Sequence, residues 1–177
     1  GSGTSLAVKR REARGMRRRR DRYLGRRDAM LRELRKHGLL PLDELAGKAL
    51  AVEDPYDLRV RALSEEISPY QLGRALFHLN QRRGFKSNRK AERKSTDDKD
   101  AGKIASATKL LDAEMQRLGA QTLGQFLVMR DQEADGTKGK RVRMRPDADG
   151  YDFYPDRRHV LDEFRAIWDA QKAYHPA

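Results

Sequence analysis

Ten arginines crowd residues 10 to 27, opposed only by Glu12 and Asp21. No proline interrupts residues 6–37, and arginine favours helix nearly as well as leucine. The spacing predicts one helix over 6–37, with Gly38 as its C-terminal cap and Leu39-Leu40-Pro41 as the stop. Arginines stacked at i, i+3 and i+4 repel one another. An ordered polyanion alongside would turn that repulsion into attraction, so the array constrains partner as much as fold.

Taking Arg14 as the origin of a wheel of about 100° per residue, Ala13, Met16, Tyr23, Leu24, Met30, Leu31 and Leu34 share an arc about 120° wide. Arg10, Arg11, Arg14, Arg17, Arg18, Arg22 and Arg26 cover most of the remainder, while Arg20 and Arg27 intrude on the apolar arc. That arc is expected to pack on protein. Gly15 and Gly25 each cost about 1 kcal/mol in helix propensity, or admit the close approach of a partner backbone.

The net charge of the 177 residues is +12, and 37% of them are charged. Residues 1–40 alone carry 14 Lys/Arg against 4 Asp/Glu. One local source of positive charge therefore dominates, the footprint expected of nucleic-acid binding. The chain has no cysteine, which excludes disulfides and thiolate metal sites and suits a reducing compartment. No run of 18 apolar residues suggests a transmembrane helix, and no secretory signal is evident. The opening Gly1-Ser2-Gly3-Thr4-Ser5 reads as a linker outside the fold.

Beyond residue 40 the patterns are short. Leu42, Leu45 and Ala49, then Leu58, Val60 and Leu63, suggest two short helices around Asp54-Pro55. Ser68-Pro69-Tyr70-Gln71 is a capping box with proline at the first helical position, and Leu72, Ala75, Leu76 and Leu79 line the face that follows. Ile104, Ala107, Leu111, Met115 and Leu118 predict another amphipathic helix. Thr122 caps a short one through Phe126 and Met129. Asp156 caps a last one carrying Val160, Leu161, Phe164, Ile167 and Trp168, with Phe164 and Trp168 expected in the core. Flexible loops are expected at about 91–102 and 132–150, with a short hairpin near 140–153 where Arg141 to Arg145 alternate. The chain is thus mainly α: a long arginine-rich helix over 6–40 and a small multi-helix domain over 41–177.

The arginine helix is the first candidate site. The guanidinium fork matches phosphate oxygens and stays charged at any physiological pH, whereas ordinary solvated helices mix both signs. Its apolar arc is too poor in bulky groups for membrane insertion. Zinc-finger spacing and a basic region feeding a leucine zipper are both missing, and long arginine-rich helices are a common RNA-binding mode. The second candidate is Arg82-Arg83-Gly84-Phe85-Lys86-Ser87-Asn88-Arg89-Lys90, suited to wrapping a sugar–phosphate backbone, with Phe85 more simply a buried anchor. His37, His78, His159 and His175 show no metal spacing, and His78 reads as core. Asp97, Asp98 and Asp100 lack the glycine and distal glutamate of an EF-hand. No phosphate-loop, dinucleotide or nucleophile-elbow motif occurs.

The order of these segments resembles the type II CRISPR RNA-guided DNA endonucleases, the Cas-nine family, in compact type II-C-like form. Ala13-Arg14-Gly15-Met16-Arg17-Arg18, continuing through Arg22 and Arg26 to Gly38-Leu39-Leu40, is similar to that family's bridge helix. Asp54-Pro55-Tyr56-Asp57-Leu58-Arg59 with Ala62-Leu63 resembles the entry to its recognition lobe. Leu76-Phe77-His78-Leu79, followed by Arg82 to Lys90, resembles a basic stretch of that lobe. Tyr154-Pro155-Asp156-Arg157 with Glu163-Phe164, Ile167-Trp168 and Gln171 resembles a later helix. Asp21 departs from the pattern, so its turn is the least suited to RNA.

The resemblance implies a module that grips guide RNA, and the guide–target DNA heteroduplex, by backbone and shape while base pairing reads sequence. Arg14, Arg17, Arg18, Arg22 and Arg26 match the repeating bridge-helix arginines. Gly84, Lys86, Ser87, Arg89 and Lys90 match the recognition-lobe stretch. The family's nuclease centres, RuvC-like and HNH, have no counterpart here. The expectation is therefore a non-catalytic fragment of a bacterial cytoplasmic enzyme, without a cofactor of its own. An acidic partner on the same basic face, such as an anti-CRISPR inhibitor, is the alternative.

Overall fold

The computed structural model describes residues 5–81, 99–133, 146–147, 150–151 and 153–176. Seven helices lie among the described residues: α1 (Leu6–Lys36), α2 (Glu44–Val52), α3 (Pro55–Arg61), α4 (Pro69–Gln81), α5 (Lys99–Leu118), α6 (Leu123–Glu133) and α7 (Arg157–Tyr174). A two-residue antiparallel ladder pairs β1 (Pro146–Asp147) with β2 (Gly150–Tyr151). The fold is mainly α, with a short hairpin where one was expected, although Arg141 to Arg145 lie outside the described residues.

The caps sit where the sequence puts them. Ser68 and Gln71 close a reciprocal box: the Gln71 N–H donates to Ser68 Oγ at 3.2 Å, and the Ser68 N–H donates to Gln71 Oε1 at 3.0 Å. Thr122 and Gln125 repeat it at the start of α6. At the other end of α1, Gly38 adopts φ +69°, the left-handed conformation glycine takes without strain. The Leu39 N–H then reaches Leu34 O at 2.7 Å and the Gly38 N–H reaches Arg35 O at 3.1 Å. These are the two bonds of a Schellman ending, and they turn the chain back onto α4.

Two expected loops, 91–102 and 132–150, fall largely outside the described residues. Residues 99–102 already belong to α5, and residues 132–133 still belong to α6.

One apolar core joins Leu34 of α1, Ala62 and Ile67 of the α3–α4 connection, Leu72, Leu76 and Leu79 of α4, and Ile167 of α7. A second joins Tyr56 of α3 to Leu111 of α5, Ala120, and Leu123, Phe126 and Leu127 of α6. The apolar stripe read on α2 is not part of either: Leu42 and Leu45 are 85% and 76% exposed, and only Leu50 is buried. Phe164 and Trp168 are also not core. They stack on each other with ring centroids 6.0 Å apart and are 37% and 39% exposed.

What α7 buries instead is mostly polar. His159, Glu163, Ile167 and Gln171 follow at intervals of four and are all buried. Arg59 of α3 meets Glu163 in a fork: Nε donates to Oε1 at 2.6 Å and Nη2 to Oε2 at 2.7 Å. The Gly124 N–H of α6 adds a third bond to Glu163 at 2.9 Å, and Arg59 Nη1 reaches Nδ1 of His78 on α4 at 3.3 Å. A guanidinium has no acceptor, so this ring nitrogen must accept. Four helices thus converge on one satisfied ion pair. Farther along α7, the Gln171 amide donates to Ala62 O and Glu65 O at 2.8 and 2.7 Å and accepts from the Ile67 N–H at 3.3 Å. It serves the backbone groups that the end of α3 leaves unpaired.

Candidate nucleic-acid interface

The first five turns of α1 bury nothing. Leu34 is the one buried residue of this 31-residue helix, so the arc predicted to pack on protein does so only at its C-terminal end, through Met30 and Leu34. Met16 and Tyr23 remain 58% and 41% exposed. The reason is geometric: the domain is in reach of the last turns alone, while residues 6–27 add about 33 Å of helix at 1.5 Å per residue.

Arg10, Arg11, Arg14, Arg17, Arg18, Arg22 and Arg26 are all exposed on that stretch. None of the seven forms an ion pair among the described residues. Arg14 Nε donates to Arg10 O at 3.3 Å, within its own helix. Ser5 caps the N-terminus through its hydroxyl, 3.4 Å from the Val8 N–H, but the first turn has no acidic residue to complement the helix dipole. A Cβ at Gly25 would meet nothing within 4 Å, and one at Gly15 only the tip of Arg19. Internal packing therefore requires neither glycine.

The foot of the helix is fixed by a close approach. A Cβ on Gly73 of α4 would collide with the backbone carbonyl of Leu39. The missing side chain lets the turn after α1 lie directly on α4, while Leu39 and Leu40 pack against the first core. Below it, α2 is tied to α4 by Arg74, whose Nε and Nη2 donate to Glu53 O and Ala51 O at 2.8 and 2.7 Å.

Arg82, Arg83, Gly84, Lys86, Ser87, Arg89 and Lys90, with Phe85, lie outside the described residues; α4 leads directly to them at Gln81. His78 is core, as expected. No group of His, Cys, Asp and Glu among the described residues could hold a metal ion, and no described helix is long and apolar enough to cross a membrane.

Sequence reasoning missed the Arg59–Glu163 pair. Its signal is present: Glu163 falls on the same helical face as Val160 and Ile167, where a carboxylate must find a partner. It also missed a polar joint between α5 and α7. Asp112 Oδ1 lies 2.9 Å from His159 Nε2, and Arg158 Nη2 donates to both Asp112 oxygens at 3.0 Å. Partial burial works against the Asp112 charge, but the hydrogen bonds from His159 and Arg158 prevail and hold its carboxyl below the usual range.

Fold and surface together define a helical protein that presents a polycationic helix on a small two-core domain. In sequence, the chain is homologous to part of the CRISPR-associated endonuclease Cas9. It is 29% identical over 187 aligned positions to Cas9 of Campylobacter jejuni subsp. jejuni serotype O:2, a match covering 98% of this chain and 18% of the relative. The solved structure of Campylobacter jejuni Cas9 in complex with sgRNA and target DNA (AGAAACC PAM) matches with a TM-score of 0.67 at 26% identity, over 100% of this chain and 24% of that one. An St1Cas9–sgRNA–tDNA20–AcrIIA6 dimeric assembly has the same fold, with a TM-score of 0.71 at 23% identity over 99% of this chain and 20% of that one. No family model matches. The chain spans less than a quarter of the length of each of these relatives.

Proposed function

We propose that this chain is the bridge-helix and recognition-lobe portion of a type II-C-like RNA-guided DNA endonuclease, and that it grips guide RNA by its sugar–phosphate backbone. The observation that carries the reading is the row of seven exposed arginines on α1 that have no ion-pair partner among the described residues, in a chain homologous to Cas9. Arg10, Arg11, Arg14, Arg17, Arg18, Arg22 and Arg26 contact phosphates. Arg82, Arg83, Gly84, Lys86, Ser87, Arg89 and Lys90 supply a second backbone contact beyond the end of α4. The domain over 41–177 holds α1 at a set angle and meets the guide–target heteroduplex by shape.

In this reading the chain works in a bacterial cytoplasm and does no chemistry itself. Two-metal hydrolysis needs clustered carboxylates, and the proposed role uses none. The relative's sgRNA and target DNA, named with its solved structure, support guide RNA and target strand as the partners. The +12 charge also suits an acidic inhibitor protein competing for the same face.

A crosslinking map of guide RNA on the intact chain tests the proposal. Crosslinks concentrated at residues 10–27 and 82–90 are expected. Crosslinks spread evenly over the surface, or none, contradict it. Cleavage of DNA by this chain alone with added Mg²⁺ would contradict the non-catalytic role.

A further inference from the structure

A groove of about 300 Å³ opens where α1, α4 and α7 meet. Met30, Leu79, Val160, Leu161 and Phe164 give it apolar walls, and Asn80 and Arg157 are its polar members. We propose that it takes an unstacked nucleobase of the RNA whose backbone α1 holds, with Phe164 and Trp168 as the stacking platform. This inference rests on the RNA-binding reading and adds a site for the base itself.

Arg157, Leu161, Phe164 and Trp168 follow at i, i+4, i+7 and i+11, on one face of α7. The two rings lie nearly parallel, 17° apart, yet each keeps more than a third of its surface in water. Two large aromatic groups held flat and half bare bind flat, apolar ligands well, and stacked bases are the form such ligands take in single-stranded RNA.

Met30 forms part of the groove, and Tyr23 and Arg26 stand seven and four residues earlier on the same side of α1. Tyr23 is itself 41% exposed. A strand tracking the arginines toward the domain therefore arrives at the groove. Charge decides between occupants. An apolar peptide would satisfy the walls but gain nothing from Arg157 and Arg26. A nucleotide brings an apolar ring, an edge that an amide such as Asn80 can hydrogen-bond, and a phosphate for the guanidinium groups.

Trp168 is the single tryptophan of the chain and stacks on Phe164 of the groove wall, so its emission reports on that face of α7. The intact protein is titrated with a 5′-labelled oligoribonucleotide and, separately, with an abasic phosphodiester of the same length. Label anisotropy follows binding and Trp168 emission follows stacking. The expected result is that both oligomers bind, but only the base-containing one quenches Trp168, saturating with the anisotropy. Phe164→Ala is expected to weaken base-containing RNA about 5- to 100-fold, as loss of one stacking contact does, and to leave abasic binding unchanged. Because truncation at Phe164 can disturb α7, Trp168→Phe is paired with 2-aminopurine RNA, whose own emission should be quenched on binding. Binding of both oligomers with Trp168 unchanged overturns the inference alone. Equal emission changes with both oligomers report rearrangement rather than stacking, and also overturn it. Failure of both oligomers to bind overturns the RNA reading and the inference with it.

Discussion

Arg59 and Glu163 are each almost fully buried, at 1% and 0% exposure. Such a pair stabilises little relative to an apolar replacement, but breaking it is expensive, because the survivor is left charged and dry. Glu163→Ala is expected to lower unfolding free energy by about 3–5 kcal/mol, read by urea denaturation. Gly124 shows how tightly the carboxylate is held: a Cβ there would come within 2.5 Å of Glu163 Oε1. Asp112 makes a pH-dependent contribution. Its folded carboxyl titrates below the usual range, so its stabilisation is fully present above the unfolded value, about 3.9. It is lost as pH falls through the lower folded value. Asp112→Asn should flatten the loss of stability as pH falls below about 4. An unchanged acid limb would argue against the Asp112–His159–Arg158 joint.

At the scale of elements, the sequence made most helices legible because their caps are local chemistry. Ser68/Gln71, Thr122/Gln125 and Asp156 each declare a helix start within four residues, and all three starts are observed. Burial was less legible. The wheel of α1 finds an apolar arc but carries no information about how far the domain reaches along it. The same holds for Leu42 before α2, Leu45 on α2 and the Phe164–Trp168 pair on α7. Glu163 and Gln171 were hidden because Arg59 and the backbone groups that Gln171 serves lie 104 or more residues away. At the candidate site, the exposed arginine face of α1 was legible, whereas the groove beside Met30 depends on three helices meeting. Two predictions follow from α1. With only its last turns packed, its N-terminal part depends on its own weak helix-forming balance against charge repulsion. Helicity by circular dichroism should rise when salt screens the arginines or when RNA is added, and a salt-independent signal would contradict this. Gly73→Ala should unseat Leu39 and destabilise the domain by about 1–3 kcal/mol, the range for overpacking a tight contact, measured by thermal melting.

For the molecule as a whole, the division of labour is clear. A domain of two small cores and buried polar joints fixes one end of a helix, and that helix carries nearly all of the net charge outward. Binding strength should therefore reside in released counterions rather than in buried area. Each phosphate neutralised steepens the fall of log affinity with log salt by about 0.7 to 0.9. The most direct test measures guide RNA affinity at several salt concentrations for the wild type and for the double variant Arg17→Ala/Arg18→Ala. The account predicts a steep wild-type slope that becomes shallower by about 1.4 to 1.8 in the variant, with the fold unchanged. A flat wild-type slope, or a variant with the same slope as the wild type, would contradict it.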